Sequence, residues 1–309
     1  MKTVYLNKFM SSVVAELEMN GQYGTAHVCG SVLRSVMAFD GEGLPVSGIT
    51  PLWLKAYEGY LLHKGGKGLA WNTVSTYMRM LQAVYNRAVV RKLAAFIPHQ
   101  FRDVFTGRKA DHRRVLERDD MQKLLVERDP DITSPGMAWA RACLELMFRF
   151  HGIPFVDLAH LRKSDLKDGY LTLRRRKTGM PLSARVDGRA MQLLERYRSR
   201  DDTSPYLLCF LDGNLEGMAA YRDYQRILRL LNSRLRALAL WKKVQGKVTS
   251  YSARHTWATV GRYCHIPIEV ISEGLGHASV TTTEGYMKGF GNSRMDRANK
   301  VIMNYIFKG

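Results

Sequence analysis

Across 309 residues, 47 Lys and Arg stand against 28 Asp and Glu, a formal charge of +19 at pH 7 that points to a nucleic-acid partner. Ribosomal and membrane-surface proteins share such a balance, but residues 1 to 60 hold only four basic and five acidic side chains, so the surplus belongs to the rest of the chain. Hydrophobic residues make up 46% and no long like-charge tail is present, so the charge sits on a folded body long enough for two domains. No apolar run approaches membrane-spanning length, and Cys29, Cys143, Cys209 and Cys264 form no CxxC pair, which argues against a membrane protein, a zinc module or a disulfide scaffold. The cysteines read as reduced packing residues of a cytoplasmic protein.

The first hundred residues read as helices joined by turn-rich segments. The cluster Gly41 to Pro51 separates an earlier helical segment from a shorter one around Leu52 to Leu62. The clearest helix follows a cap at Asn72 or Thr73, because Val74, Tyr77, Met78, Leu81, Val84, Tyr85, Ala88 and Val89 recur at helical spacing. Arg79 lies on or near its polar face and is a candidate DNA contact. Residues 105–117 are polar and basic without apolar periodicity, and are predicted to link a helical domain (1–104) to a second domain (118–309). Arg108 and Lys109 are candidate phosphate contacts of a linker that crosses a polyanion; the alternative is a solvated surface loop.

Beyond the linker, Met137 to Phe150 has helical periodicity, which Gly152 and Pro154 break before a short helix from Phe155 to Leu161. Tyr170 to Leu173 alternates and leads through Lys177-Thr178-Gly179 to Pro181 to Val186, a predicted hairpin. Helices are expected at Gly188 to Arg198, Tyr221 to Leu240, Ser252 to Cys264 and Ile268 to Gly274. A short segment carrying Tyr286 and a terminal helix from Ser293 to Phe307 follow. The predicted fold class is mainly α with a small β-sheet.

The chemistry-bearing residues gather in this second domain. Arg254 follows Tyr251-Ser252-Ala253, His277 ends Leu275-Gly276-His277, Tyr286 lies beyond Thr281-Thr282-Thr283, and Lys177 follows Arg174-Arg175-Arg176. Cleaving a phosphodiester requires donors around the nonbridging oxygens, a nucleophile in line and an acid near the leaving oxygen. A fixed basic cluster can meet these demands as metal ions do. The chain has no HExxH, no clustered carboxylates and no Cys/His ligand spacing, so neither a metal nor another cofactor is expected. Taken singly, each residue has a plainer role: a packing tyrosine, a turn-capping histidine, a solvated hairpin lysine, and arginines that charge a strand edge. Their joint order and spacing outweigh those roles.

In that order and spacing the chain resembles the tyrosine recombinase, or phage integrase, family, whose catalytic domain carries a lysine on a β-hairpin, a His-x-x-Arg box, a Leu-Gly-His turn and a tyrosine. The similarity runs from about Met137 to Tyr286, and the N-terminal region corresponds to the family's helical core-binding domain. The resemblance implies that Tyr286 attacks the scissile phosphate to form a 3′-phosphotyrosine and that Arg254 and His277 hold the nonbridging oxygens. Lys177 would protonate the leaving 5′-oxygen. Arg174, Arg175 and Arg176 are expected to contact DNA. The implied activity is site-specific cleavage and rejoining of double-stranded DNA, in integration, excision or inversion by a mobile element. A homotetramer on paired sites would carry it out, with accessory DNA-bending proteins as further partners.

Two positions depart from the family pattern. Tyr251 stands where the box histidine is usual and can still donate a hydrogen bond to phosphate. Pro154, in His151-Gly152-Ile153-Pro154-Phe155-Val156-Asp157, stands where the first arginine is usual, and Asp157 fits the acidic residue that buttresses the site. Relatives of Bacteroides type place an arginine directly before the glycine, so His151 is the expected stand-in. These departures keep two rival readings in view, a DNA-binding relative that cleaves poorly and a type IB topoisomerase.

Overall fold

The computed structural model describes residues 3–109, 115–125, 134–277, 279–284 and 299. The chain forms two compact units, Met1–Ala110 with Leu215–Tyr221, and Asp111–Asn214 with Arg222–Gly309.

The first unit is built on α1 (Leu6–Met19), α2 (Tyr23–Asp40), α3 (Pro51–His63) and α4 (Trp71–Val90). The early helical segment is thus two helices, broken where Gly21 takes a positive φ of 68°. In α3, Thr50 accepts from the Trp53 amide at 3.1 Å and Pro51 opens the first turn, so the helix has both side-chain and backbone start signals. Helix α4 buries Val74, Met78, Leu81, Val84, Tyr85 and Ala88 at the expected spacing. It begins earlier than predicted, with Ala70 at the N-cap, because Asn72 is engaged elsewhere. The Asn72 amide clamps Lys109, donating to its carbonyl and accepting from its amide at 2.8 Å each.

That clamp shows where the start of the predicted linker lies. The Phe105 amide donates to Glu58 Oε1 at 2.7 Å, Ser75 Oγ donates to the Gly107 carbonyl at 2.6 Å, and the Lys109 ammonium sits 4.4 Å from the centre of the Trp71 ring. Residues 105–109 therefore lie against the first unit, and 110–114 are outside the described residues. Leu116, at the far end, is buried in the second core and donates its amide to Thr256 Oγ1 at 3.0 Å.

The second unit opens with α5 (Arg118–Leu125) and centres on α6 (Pro135–Arg149), which packs against α5, α7 (Phe155–Ala159), α8 (Gly188–Arg196) and α10 (Ser252–Tyr263). Between α7 and α8 lies an antiparallel sheet of β1 (Leu166–Lys167), β2 (Tyr170–Arg174) and β3 (Pro181–Arg185), in that spatial order. Leu171 faces Ala184 and Leu173 faces Leu182, and alternate residues of β2 and β3 turn inward. Helix α8 is capped by Asp187, which accepts from the Ala190 amide at 2.7 Å. Helix α9 (Gly217–Trp241) precedes α10, and α11 (Ile268–Gly274) and α12 (Val280–Glu284) follow it. The fold is mainly helical with a small three-stranded sheet. The predicted terminal helix and the segment carrying Tyr286 lie outside the described residues.

All four cysteines are free, but only Cys29 and Cys143 are packing residues. Cys209 and Cys264 are exposed, contrary to expectation: one lies in a loop and the other caps the C-terminal end of α10. Among the described residues no helix is long and apolar enough to cross a membrane.

Candidate active site

The site assembles around a buried arginine. Arg254 lies in the first turn of α10, 2% exposed, and its position depends on the turn that ends α6. After Phe150, His151 and Gly152 adopt successive positive φ values of 56° and 67°. A Cβ on Gly152 would lie 2.9 Å from the Arg254 Cα, so the absent side chain is what lets the α6 turn approach α10. Across that contact Arg254 Nη1 donates to the Gly152 carbonyl at 3.0 Å. Nη2 donates to the Leu275 carbonyl at 2.7 Å, so two backbone oxygens fix the plane of the guanidinium.

The Leu275-Gly276-His277 turn brings the imidazole to the same group. Arg254 Nη2 lies 2.7 Å from His277 Nε2, and His277 Nδ1 lies 2.8 Å from Thr283 Oγ1. Guanidinium can only donate, so Nε2 accepts, and the proton of the neutral ring sits on Nδ1 and is donated to Thr283. Burial, together with the charges of Arg254 and Arg175, brings the His277 pKa down to about 4. The imidazole is therefore neutral at physiological pH.

The hairpin delivers a second guanidinium to the turn. Arg175 is 5% exposed; its Nε donates to Asp157 Oδ2 at 2.5 Å, and its Nη1 donates to the Leu275 carbonyl that Arg254 also uses. Asp157 Oδ1 accepts from the Arg176 amide at 2.9 Å, so one carboxylate on α7 fixes both the side chain and the backbone of the strand end. Arg175 is not the surface cation the sequence reading expected. Strand alternation continues past Leu171 and Leu173 and turns it inward, leaving Arg174 and Arg176 exposed. That parity was present in the sequence and is the signal that could have placed it.

The remaining candidates surround this core at different depths. Lys177 is exposed in the hairpin turn, just past Arg175, where the Gly179 amide donates to the Arg175 carbonyl at 2.8 Å. Tyr251 caps α10 and is 39% exposed, one turn from Arg254. His151 is half-buried with its ring centroid 5.5 Å from that of Trp257, and burial lowers its pKa. Arg149, two residues before it at the end of α6, is held by Glu145 at 2.9 Å and Asp187 at 2.5 Å. Arg79, Arg108 and Lys109 are exposed on the first unit. Tyr286 lies outside the described residues. The structure thus joins Arg254, His277 and Arg175 in one hydrogen-bonded set with Lys177 beside it in sequence. Sequence reasoning missed Thr283 as the partner that sets the His277 tautomer.

Comparison with known proteins fits this arrangement. XerA, a tyrosine recombinase of Pyrococcus furiosus, is 29% identical over 140 residues, which is 44% of this chain and 46% of XerA. The alignment thus spans about half the length of that relative. Among solved structures, a lambda integrase dimer bound to a core site superimposes with a TM-score of 0.66 at 18% identity, covering 94% of this chain and 97% of that one. A lambda integrase tetramer bound to a Holliday junction gives 0.61 at 16% identity, covering 93% and 78%. These likenesses show the fold. A phage integrase SAM-like domain matches residues 5–102, and the phage integrase family matches residues 114–290, more than half of the chain. With the catalytic-domain match spanning the arginine, the histidine turn, the hairpin lysine and Tyr286, this chain belongs to the phage integrase family of tyrosine recombinases.

Proposed function

We propose that this chain is a site-specific recombinase that cleaves and rejoins double-stranded DNA through a 3′-phosphotyrosine. The observation that carries the reading is the bonding of Arg254 to His277 on a carbonyl scaffold of Gly152 and Leu275. A guanidinium whose plane two carbonyls fix in advance needs little reorientation as charge builds on the phosphate, and catalysis by preorganised electrostatics requires that property. Tyr286 Oη attacks phosphorus as the bond to the 5′-oxygen breaks, and Lys177 gives that oxygen its proton. A second 5′-hydroxyl then reverses the step. Bond energy is kept in the phosphotyrosine, so neither a nucleotide nor a metal is needed.

Exposed Arg79, Arg108, Lys109, Arg174 and Arg176 would hold the DNA backbone. Four copies on paired sites, passing through a Holliday junction, complete the reading, with DNA-bending proteins as accessory partners. The domain division proposed from the sequence is 1–104, 105–117 and 118–309, with 105–109 resting on the first unit and Leu116 in the core of the second. Pro154, in place of the usual first arginine, supports placement among Bacteroides-type recombinases, although His151 stands where those relatives carry an arginine before the glycine. The same substitution, with Tyr251, is what favours the second reading, a DNA-binding relative that cleaves poorly.

A suicide substrate nicked near the cleavage position separates these readings when incubated in chelator. The recombinase reading expects a covalent adduct at the 3′ end and a tetramer on paired sites. Binding without adduct supports the weakened relative, and an adduct formed by a monomer on single sites supports a type IB topoisomerase.

A further inference from the structure

Arg254 and His277, the two groups expected to hold the nonbridging oxygens, are bonded to each other. We propose that Thr283 is a positioning residue whose hydroxyl lets His277 exchange one neutral tautomer for the other, so that the imidazole accepts from Arg254 before a phosphate enters and donates to a nonbridging oxygen afterwards. The proposal deepens the recombinase reading and rests on it.

The geometry creates the need for the exchange. Of the two Nη2 protons of Arg254, one is donated to the Leu275 carbonyl and the other to His277 Nε2, each at 2.7 Å. A nonbridging oxygen that takes the second proton leaves Nε2 as a bare acceptor facing an anion. To bind that oxygen the ring must carry a proton on Nε2. It can gain one and become imidazolium, or move its own from Nδ1. Burial and the charges of Arg254 and Arg175 hold its pKa at about 4, which disfavours the charged ring at neutral pH by about 10³-fold. The tautomer exchange creates no charge: Nδ1 gives its proton to solvent, Nε2 takes one from solvent, and the total is unchanged.

What the exchange requires is a partner that serves Nδ1 in both states. Thr283 Oγ1 lies 2.8 Å from Nδ1, and a hydroxyl can accept a hydrogen bond or, after rotating about its C–O bond, donate one. A carbonyl at that place would hold the proton on Nδ1 permanently. Thr283 is fully buried on α12, so bulk water does not stand in for its hydroxyl. It also lies three residues before Tyr286, so the segment that carries the nucleophile carries the group that sets the imidazole.

Two measurements test the proposal. Nitrogen-15 shifts of labelled histidine distinguish Nδ1–H, Nε2–H and doubly protonated rings, and the His277 signal is identified by its loss in His277→Gln. At neutral pH the protein alone should show Nδ1–H. Tyr286→Phe, which cannot form the adduct, should show Nε2–H when bound to a duplex carrying the cleavage site. The same tautomer in both, or a doubly protonated ring in the complex, would overturn the proposal. The second measurement is adduct formation on a nicked suicide duplex. Thr283→Val keeps the shape and removes the hydroxyl, and should slow the step by about 10²-fold with DNA binding retained, as for a weakened oxyanion donor. Thr283→Ser keeps the hydroxyl and should stay within about threefold of the parent. A residue that only packs would show the reverse order. A Thr283→Ser rate as low as that of Thr283→Val, or a Thr283→Val rate equal to the parent's, would therefore also defeat it. If Thr283→Val does not fold, the tautomer measurement decides, since it leaves Thr283 in place. A parent that forms no adduct sinks the recombinase reading and this proposal with it, whereas adduct formation with an unchanging tautomer sinks this proposal alone.

Discussion

The neutral imidazole of His277, which accepts from Arg254, makes the site sensitive to acid. The folded pKa of His277, about 4, lies below its ordinary value of 6.5, and burial depresses His160 to about 4 as well. Below pH 6.5 the unfolded chain therefore binds protons that the folded chain refuses, so stability falls as pH drops from 6.5 toward 4. Thermal unfolding should show the midpoint falling already between pH 6.5 and 5, before most carboxylates titrate, and falling less in His160→Gln. A midpoint flat over that interval would contradict the neutral, buried imidazoles. Lys177 calls for a different measurement. Lys177→Ala should slow cleavage by about 10²-fold or more with a normal 5′-oxygen leaving group, yet far less with a 5′-bridging phosphorothioate, whose thiolate leaves without a proton. Equal losses on both substrates would remove the lysine from the general-acid role. That Arg254 and His277 come together was legible because each belongs to a short motif whose spacing is local. Arg175 was misread as a surface cation because adjacent arginines look alike until strand parity separates them. The Asp157 partner that holds it inward comes from another element.

At the scale of elements, the turn after α6 carries the most consequence. Gly152 combines a positive φ with contact against Arg254, so Gly152→Ala pays both backbone strain and displacement of α10. The expected cost is about 1–3 kcal/mol in unfolding free energy, together with loss of cleavage, read by denaturant titration and by adduct yield. A variant with parental stability and yield would show that the close approach is not needed. Long periodic elements such as α4 and α6 were visible in the sequence, and so was the hairpin, because burial there repeats over many residues. Helix α5 and strand β1 were not. Eight residues and two residues are too short for a period to show, and tertiary contact rather than local pattern holds them. Asn72 reads as a helix cap from its type, but the structure uses its amide to clamp Lys109, a contact between distant positions that no local signal reveals.

For the whole molecule, the charge of +19 with its surplus beyond residue 60 sets the mode of DNA binding expected on the proposed function. Neutralising phosphates with lysine and arginine releases counterions, so affinity should fall by about 10³-fold or more between 50 and 200 mM salt. Arg174→Ala should lower affinity on all sequences alike and flatten that slope. An affinity nearly independent of salt would contradict a backbone-dominated interface.

The central claim, that a tyrosine beyond the Leu-Gly-His turn becomes covalently joined to DNA, is tested most directly by isolating the adduct from a suicide substrate, digesting the protein and sequencing the nucleotide-bearing peptide. The account predicts a single modified peptide with the nucleotide on Tyr286, and no adduct from Tyr286→Phe, which should still bind DNA. A nucleotide on Tyr305 or Tyr251, or an adduct that persists in Tyr286→Phe, would contradict it.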